Sequence, residues 1–319
     1  MRRRDFLAGI GGTALAWPKA ASAQPARKPL IGLLFHSNPE PNLTELRKAF
    51  DSLGYRDGDS IQFDVRFANG SEERLAAMAT DLVARKVDVI VAFTTPAALA
   101  AKAATGSIPI VMGGVADAVG SGLVASLARP GGNITGVSAG IAESSGKLLG
   151  LLKEAVPGAS RIGVLVNTTD PFYLRLIEQV ETANRIVKVE LRIFRVARAA
   201  EIAAAFAAMA EQKIDAAIIQ PTLPRADVIP LSILNRLPTG SMVRGYADEG
   251  GLLAYGGQLA DVVSVAAGQV DRVLKGAKPA DLPVQQPTKY EFLINQRTAK
   301  AINLAIPPLL LAQADEVIE

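Results

Sequence analysis

The apolar positions along the chain alternate between two periods. Residues 30–35, LIGLLF, form an unbroken apolar run, the pattern of a parallel strand buried on both faces. Leu43, Leu46, Phe50 and Leu53 follow at helical spacing, and Gly54 supplies the stop. Residues 61–67 alternate as a strand. Leu75, Met78, Ala79, Leu82 and Val83 then line one face of a helix. Residues 87–93 predict a third strand and 108–112 a fourth. Between them Thr95-Pro96 predicts a helix start, with Thr as cap and Pro in the first turn. Strands alternating with amphipathic helices over short loops predict an open parallel sheet covered by helices.

The rhythm recurs in the second half. Residues 161–166, RIGVLV, parallel 30–35, and 213–220, KIDAAIIQ, parallel 86–93, KVDVIVAF. A long helix from Phe172, a strand over 189–196 and an Ala-rich helix from Glu201 lie between 161–166 and 213–220. Similarity over so long a period marks a duplicated domain, not a solenoid repeat. The prediction is α/β, two Rossmann-like lobes with parallel sheets joined by a hinge. A strand over 252–255 and a helix carrying Leu259, Val262, Val263, Ala266, Val270, Val273 and Leu274 follow. The Pro-rich stretch 276–287 is expected to cross between lobes. The first lobe should hold 29–138 with about 250–283, and the second 139–249 with about 284–319.

Composition narrows the chemistry. A chain of 319 residues has room for two cores. With no Cys and His36 as its one histidine, it excludes thiolate metal sites, iron–sulfur clusters, cysteine nucleophiles and multi-histidine metal centres. No cofactor or metal is expected. The formal charge of +3 raises a nucleic-acid partner, but the excess has an address. Residues 1–23 read as an export signal: Arg2, Arg3 and Arg4, a short Gly-rich apolar stretch over 6–16, and an Ala21-Ser22-Ala23 cleavage site. That stretch is too short to span ~30 Å of hydrocarbon. Arg3-Arg4-Asp5-Phe6-Leu7 fits the twin-arginine motif R-R-x-F-L. Without Arg2, Arg3, Arg4, Lys19 and Asp5, the 34 basic and 31 acidic residues fall to 30 of each. The processed protein is therefore expected to be charge-balanced, soluble, periplasmic and monomeric, with no nucleic-acid partner.

In open α/β sheets, ligands bind beyond the carboxyl ends of the strands. Five loops lie there: His36-Ser37-Asn38, Thr94-Thr95-Pro96-Ala97, the stretch 113–122 with Asp117, Asn167-Thr168-Thr169-Asp170-Pro171, and Pro221-Thr222-Leu223-Pro224. Hydroxyls, an amide and the free N–H groups of helix starts suit a carboxylate or similar anion. Each residue also has a structural reading. Thr95 and Asp170 can be helix caps, Asp117 can cap a helix over 120–128, and His36 can be a packed histidine. Tyr246 and Phe172 can stack on a flat solute or belong to the core. Enzyme motifs fail on inspection. Gly120-x-Gly122-x-x-Ala125 does not directly follow a strand, and 140–147 has the wrong phosphate-loop spacing, with Leu148 where Mg²⁺ needs Ser or Thr. There is no G-x-S-x-G elbow.

From about Pro29 to Glu319 the chain resembles the tryptophan-type substrate-binding proteins of ABC transporters. The resemblance rests on KVDVIVAFTTPAALAAK (86–102), GLVASLARPGGNITGVS (122–138), LLKEAVPGASRIGVLVN (151–167), GGLLAYGGQLADV (250–262) and the C-terminal stretch 270–319. It implies the type I periplasmic-binding-protein fold: two lobes joined by three crossovers, closing on a small organic solute delivered to an ABC permease and its ATPase. By position it implies ligand contacts from Ser37, Thr94, Thr95, Ala97 and Asp117 in lobe one, and from Asn167, Thr168, Thr222 and Asp248 in lobe two. Asn38, Thr169 and Tyr246 join them from the loops above. Amino-acid-binding relatives often read P-T-D-N where this chain has Pro221-Thr222-Leu223-Pro224, so the carboxylate that can pair with an α-ammonium is missing. An aromatic or carboxylate-bearing solute fits as well as an amino acid. The alternatives are a solute sensor for a signalling receptor and a two-lobed nucleotide-dependent enzyme.

Overall fold

The computed structural model describes residues 27–319 apart from 38, 39 and 41. The predicted export signal and Asn38 therefore lie outside the described residues. Five strands build the first sheet: β1 (Leu30–Phe35), β2 (Gln62–Phe67), β3 (Val89–Phe93), β4 (Ile110–Val115) and β5 (Ile134–Ser138). Their order is β2-β1-β3-β4-β5 and every pair is parallel. β1 and β3 are almost wholly buried because helices cover both faces. α1 (Asn42–Ser52) and α9 (Leu259–Leu274) close one face over Phe50, Val91 and Val262. α2 (Glu72–Ala84) and α3 (Thr95–Ala104) close the other over Leu75, Leu82 and Ile90. The stripe read from sequence does this for α2. Leu75, Ala79 and Leu82 are buried, and the Ser71 side chain accepts from Arg74 N at the helix start.

The second sheet has seven strands: β6 (Arg161–Asn167), β7 (Glu190–Val196), β8 (Ala216–Ile219), β9 (Thr239–Ser241), β10 (Leu253–Gly257), β11 (Tyr290–Asn295) and β12 (Glu316–Ile318). Their order is β12-β11-β10-β9-β8-β6-β7. α4 (Ile141–Ala155) and α5 (Phe172–Val187) pack on one face; α6 (Ile202–Glu211), α7 (Arg225–Leu234) and α8 (Arg244–Asp248) contribute to the other. Two short helices, α10 (Gln296–Ala301) and α11 (Pro308–Gln313), complete the chain before β12.

The paired motifs of the sequence are paired devices in the fold. Asp88 Oδ2 accepts from Leu30 N at 2.7 Å and so ties the start of β3 to β1. Asp215 Oδ2 accepts from Ser160 N and Arg161 N, both at 2.8 Å, and ties β8 to β6 in the same way. The lysines two residues before these aspartates, Lys86 and Lys213, both take left-handed backbone, with φ of 56° and 54°. Each ends the helix that feeds the strand.

Four readings need correction. The sheets are not wholly parallel, because β10 and β11 run antiparallel. β10, expected with the first lobe, pairs with β9 and β11 in the second sheet. No helix forms over 120–128; turns occupy it, with Gly122 at φ +69° and the Asp117 carboxylate bonding Val119 N and Gly120 N. Residues 134–138 are a strand that the hydropathy pattern did not mark. The chain passes between sheets after β5, after β10 and after Gln285. That last segment first runs beside β5, where Thr135 Oγ1 donates to Leu282 O at 2.7 Å and Ser138 N to Gln285 O at 2.8 Å.

Candidate ligand-binding cleft

A cleft of about 1040 Å³, counting its open mouth, separates the carboxyl ends of the strands of the two sheets. Both lobes supply its walls. β3 brings Phe93 and, just beyond, Thr94 and Thr95; the end of β4 brings Gly113 and Gly114; Ser37 and Glu40 follow β1. From the second lobe come Asp170 and Phe172 after β6, Pro221, Thr222 and Arg225 after β8, and Met242 to Gly245 after β9.

The first-lobe wall is built around an aromatic stack. Phe93 lies on Phe35 with ring centroids 4.4 Å apart and planes 8° from parallel. Gly113 makes this possible, because a Cβ there would sit 2.6 Å from the Phe93 ring. Thr94 is the residue before α3, with φ +80° and ψ 160°. A β-branched residue rarely holds positive φ, at a cost of order 1–3 kcal/mol. Its hydroxyl does not cap the helix and has no hydrogen-bond partner, although the atom is buried. The neighbouring Thr95 is not the cap either. Its Oγ1 accepts from Ala116 N at 3.3 Å and joins α3 to the end of β4.

The second-lobe wall is bonded around Asp170. Asp170 is buried, and its oxygens accept from Phe172 N at 3.1 Å, Gln220 Nε2 at 2.9 Å and Thr222 Oγ1 at 3.1 Å. Burial pushes its pKa up, against the lowering pull of those three bonds and of the His36 charge. Gln220 also accepts from Asn167 N at 2.8 Å, so the network reaches the end of β6. Arg244 faces Asp248, Glu291 and Glu316 at 3.2, 3.1 and 2.7 Å. Burial works to lower its pKa, but the bond to Glu316 and the three negative charges hold it above the usual arginine value. Arg225 is different. One guanidinium nitrogen meets Glu249 at 2.6 Å, and its buried Nε has no partner. Among the described residues no group of three or more His, Cys, Asp and Glu could hold a metal ion.

A model of the family described as ABC transporter substrate binding protein matches residues 36–318. The chain belongs to this family of ABC transporter substrate-binding proteins. Among curated proteins it is 30% identical over 272 residues to a tyrosine-binding protein of Clostridioides difficile strain R20291, covering 83% of this chain and 78% of the relative. Among solved structures it is similar to a conserved domain protein from Vibrio cholerae, with a TM-score of 0.82 and 26% identity over 91% of this chain and 100% of that one. It is equally similar to an ABC domain in complex with L-Trp from Streptococcus pneumonia, at a TM-score of 0.81, 27% identity and the same coverage. The two-sheet architecture is that of the type I periplasmic binding proteins.

Against this substrate-binding fold, the predicted contact residues separate. Ser37, Thr94, Thr95 and Thr222 line the cleft. Ala97 does not, being buried in the first-lobe core on α3. Asp117 lines an adjoining depression with Phe172 and Arg175, its carboxylate bound to the turn that follows it. Asn167, Thr168 and Thr169 are absent from the wall, and their polar groups bond within the second lobe. Thr169 N and Oγ1 both donate to Asn167 Oδ1, and Thr168 bonds Val196 O. Tyr246 is a core residue whose hydroxyl meets Thr239 Oγ1 at 2.6 Å. Asp248 pairs with Arg244 at the end of α8. His36 is buried, 3.5 Å from a Glu72 oxygen, an ion-pair distance at which neither ring nitrogen has a true hydrogen bond. Leu223 packs in the second-lobe core, and Asp170 brings the second-lobe carboxylate to the wall from another loop. Arg225 and Arg244 were missed. The signal for Arg225 was its place directly after Pro224, at the helix start beyond a strand end.

Proposed function

We propose that this binding protein captures one small organic solute between its two lobes outside the cytoplasm and delivers it to an ABC permease driven by an ATPase. The first lobe would comprise about 29–138 with 258–283, and the second the remainder to Glu319. The observation that carries the reading is a single cleft walled by strand ends of both sheets, with two aromatic rings, Phe93 and Phe172, on its sides. A solute touching both lobes binds the closed arrangement better than an open one, so it shifts a hinge equilibrium toward closure. Ser37, Thr94, Thr95 and Thr222 would supply neutral hydrogen bonds, and the rings a surface for a flat group. Relatives whose names record tyrosine and L-Trp support an aromatic solute. The role is binding without turnover, in a monomer exported by the twin-arginine route. Among the described residues no helix is long and apolar enough to cross a membrane.

Linkage gives the test. A solute that binds only the folded protein raises its melting temperature, by an amount equivalent to about 2.7 kcal/mol at one hundred times Kd. A thermal-shift screen of aromatic amino acids, aromatic acids and related carboxylates should show at least one clear rise. A flat response across all three sets would contradict solute capture of this kind.

A further inference from the structure

The cleft holds two kinds of polar group, those already bonded and those still lacking a partner. Asp170 accepts three hydrogen bonds, Arg244 faces three carboxylates, and Thr222 donates to Asp170. The Glu40 carboxylate accepts from the Thr44 hydroxyl at 2.7 Å. Among the described residues two buried atoms of the wall have no partner: Thr94 Oγ1 from the first lobe and Arg225 Nε from the second. Nε of a guanidinium only donates, and a hydroxyl can donate. A ligand that satisfies both must bring an acceptor, and beside a guanidinium the strongest acceptor is an anionic oxygen. Leaving such donors buried without acceptors is costly, so they discriminate sharply against a ligand that lacks one. Between them the wall is apolar, with Phe93, Ile141, Phe172, Leu259 and Val262.

The backbone at Thr94 points the same way. Positive φ is strain that a glycine would avoid, and the sequence keeps a threonine whose hydroxyl neither caps α3 nor bonds any other group.

We propose that Arg225 and Thr94, from opposite lobes, together hold one carboxylate of the solute, so that the cleft takes an aromatic or aryl-aliphatic monocarboxylate and requires no α-ammonium group. This rests on the solute-capture reading above and specifies its ligand. The aryl body lies against Phe93 and Phe172. The second-lobe carboxylate at the wall, Asp170, has its acceptor positions taken by protein donors, which leaves it little to offer an ammonium.

The test is calorimetric titration of the full chain with phenylacetate, 3-phenylpropanoate and indole-3-acetate, with their primary amides, and with L-phenylalanine and L-tryptophan. At least one acid should bind, its amide about tenfold or more weaker. Arg225→Gln should weaken the acid by about tenfold and narrow the gap between acid and amide. Thr94→Val should weaken it less, and Thr94→Ser should keep it. Thr94→Gly loses the hydroxyl and relaxes the backbone, so it should lose affinity without lowering the melting temperature of the unliganded protein. Glu249→Gln frees Arg225 of its ion-pair partner and should hold or raise acid affinity, which covers the case of an Arg225 variant that does not fold. Binding of the amino acids or amides in preference to every acid would overturn the carboxylate assignment and leave solute capture standing. So would unchanged acid affinity in a folded Arg225→Gln. If no compound of the three sets binds, capture of a small aromatic solute fails with it.

Discussion

The two lobes share a scaffold and differ at its tips. In both, an apolar strand with a glycine third, Gly32 or Gly163, sits one strand in from a sheet edge. In both, an aspartate, Asp88 or Asp215, fastens a neighbouring strand to it through backbone amides. Beyond the strand ends the likeness stops. The second-lobe tip is bonded to completion around Asp170, whereas the first-lobe tip carries a strained threonine with an idle hydroxyl. The two lobes share what folds the chain and differ at their strand ends. The second-lobe wall is a bonded frame beside one idle donor, Arg225 Nε, and the first-lobe wall carries an idle hydroxyl on strained backbone.

The sharpest way to break this contrast is Asp170→Ala. It leaves Gln220, Thr222 and the Phe172 amide without their acceptor in a buried site, a cost of about 2–3 kcal/mol in urea unfolding. The pH trend has a definite sign. The folded pKa of Asp170 is raised, so its contribution is full below the unfolded value near ~3.9 and fades as pH rises through the folded one. The cost of the substitution should therefore shrink from acid toward neutral pH. A cost that grows with pH would show that Asp170 is held as a favoured carboxylate instead.

Next in size comes Asp215→Ala, expected to lose about 1–2 kcal/mol at pH 7. Burial works to raise the Asp215 pKa, but the Arg161 and Ser160 bonds outweigh it and hold it below the usual carboxylate range. Its contribution is present above the unfolded pKa and is lost as pH falls through the folded one, the reverse of Asp170. Asp88→Ala gives up one backbone-amide bond where Asp215→Ala gives up two, so about 1 kcal/mol is expected. Equal losses at the two aspartates would mean that the lobes are fastened alike. The smallest loss is on the open wall: Thr94→Val should not lower the stability of the unliganded protein, since the hydroxyl it removes is buried without a partner.

What could be read from sequence follows the same division. The runs 30–35 and 161–166, with their partners at 86–93 and 213–220, announced two parallel sheets because strands buried on both faces write continuous apolar text. β5 escaped because ITGVS is short and carries Thr135, a polar residue made compatible with full burial by Leu282, far along the chain. The helix expected over 120–128 gave way to turns once Asp117 bonded the amides just after it and Gly122 took positive φ. The loops that form the cleft were legible from the rule that ligands sit at strand ends. Which side chains in them face the cleft was not. Thr168 and Thr169 match Thr94 in type, and only their bonds to Val196 and Asn167 set them apart. Arg225 and Glu249 are 24 positions apart, so that an arginine with one partner and one idle nitrogen is visible in three dimensions alone.

The most direct test of capture between the lobes is mass spectrometry of small molecules released when the purified, folded chain is denatured, run beside an Ala139→Trp variant whose indole fills the cleft. Capture predicts one small organic solute, near one per chain, from the unaltered protein and none from the variant. No solute from the unaltered protein, or the same solute in equal amount from both, would contradict it.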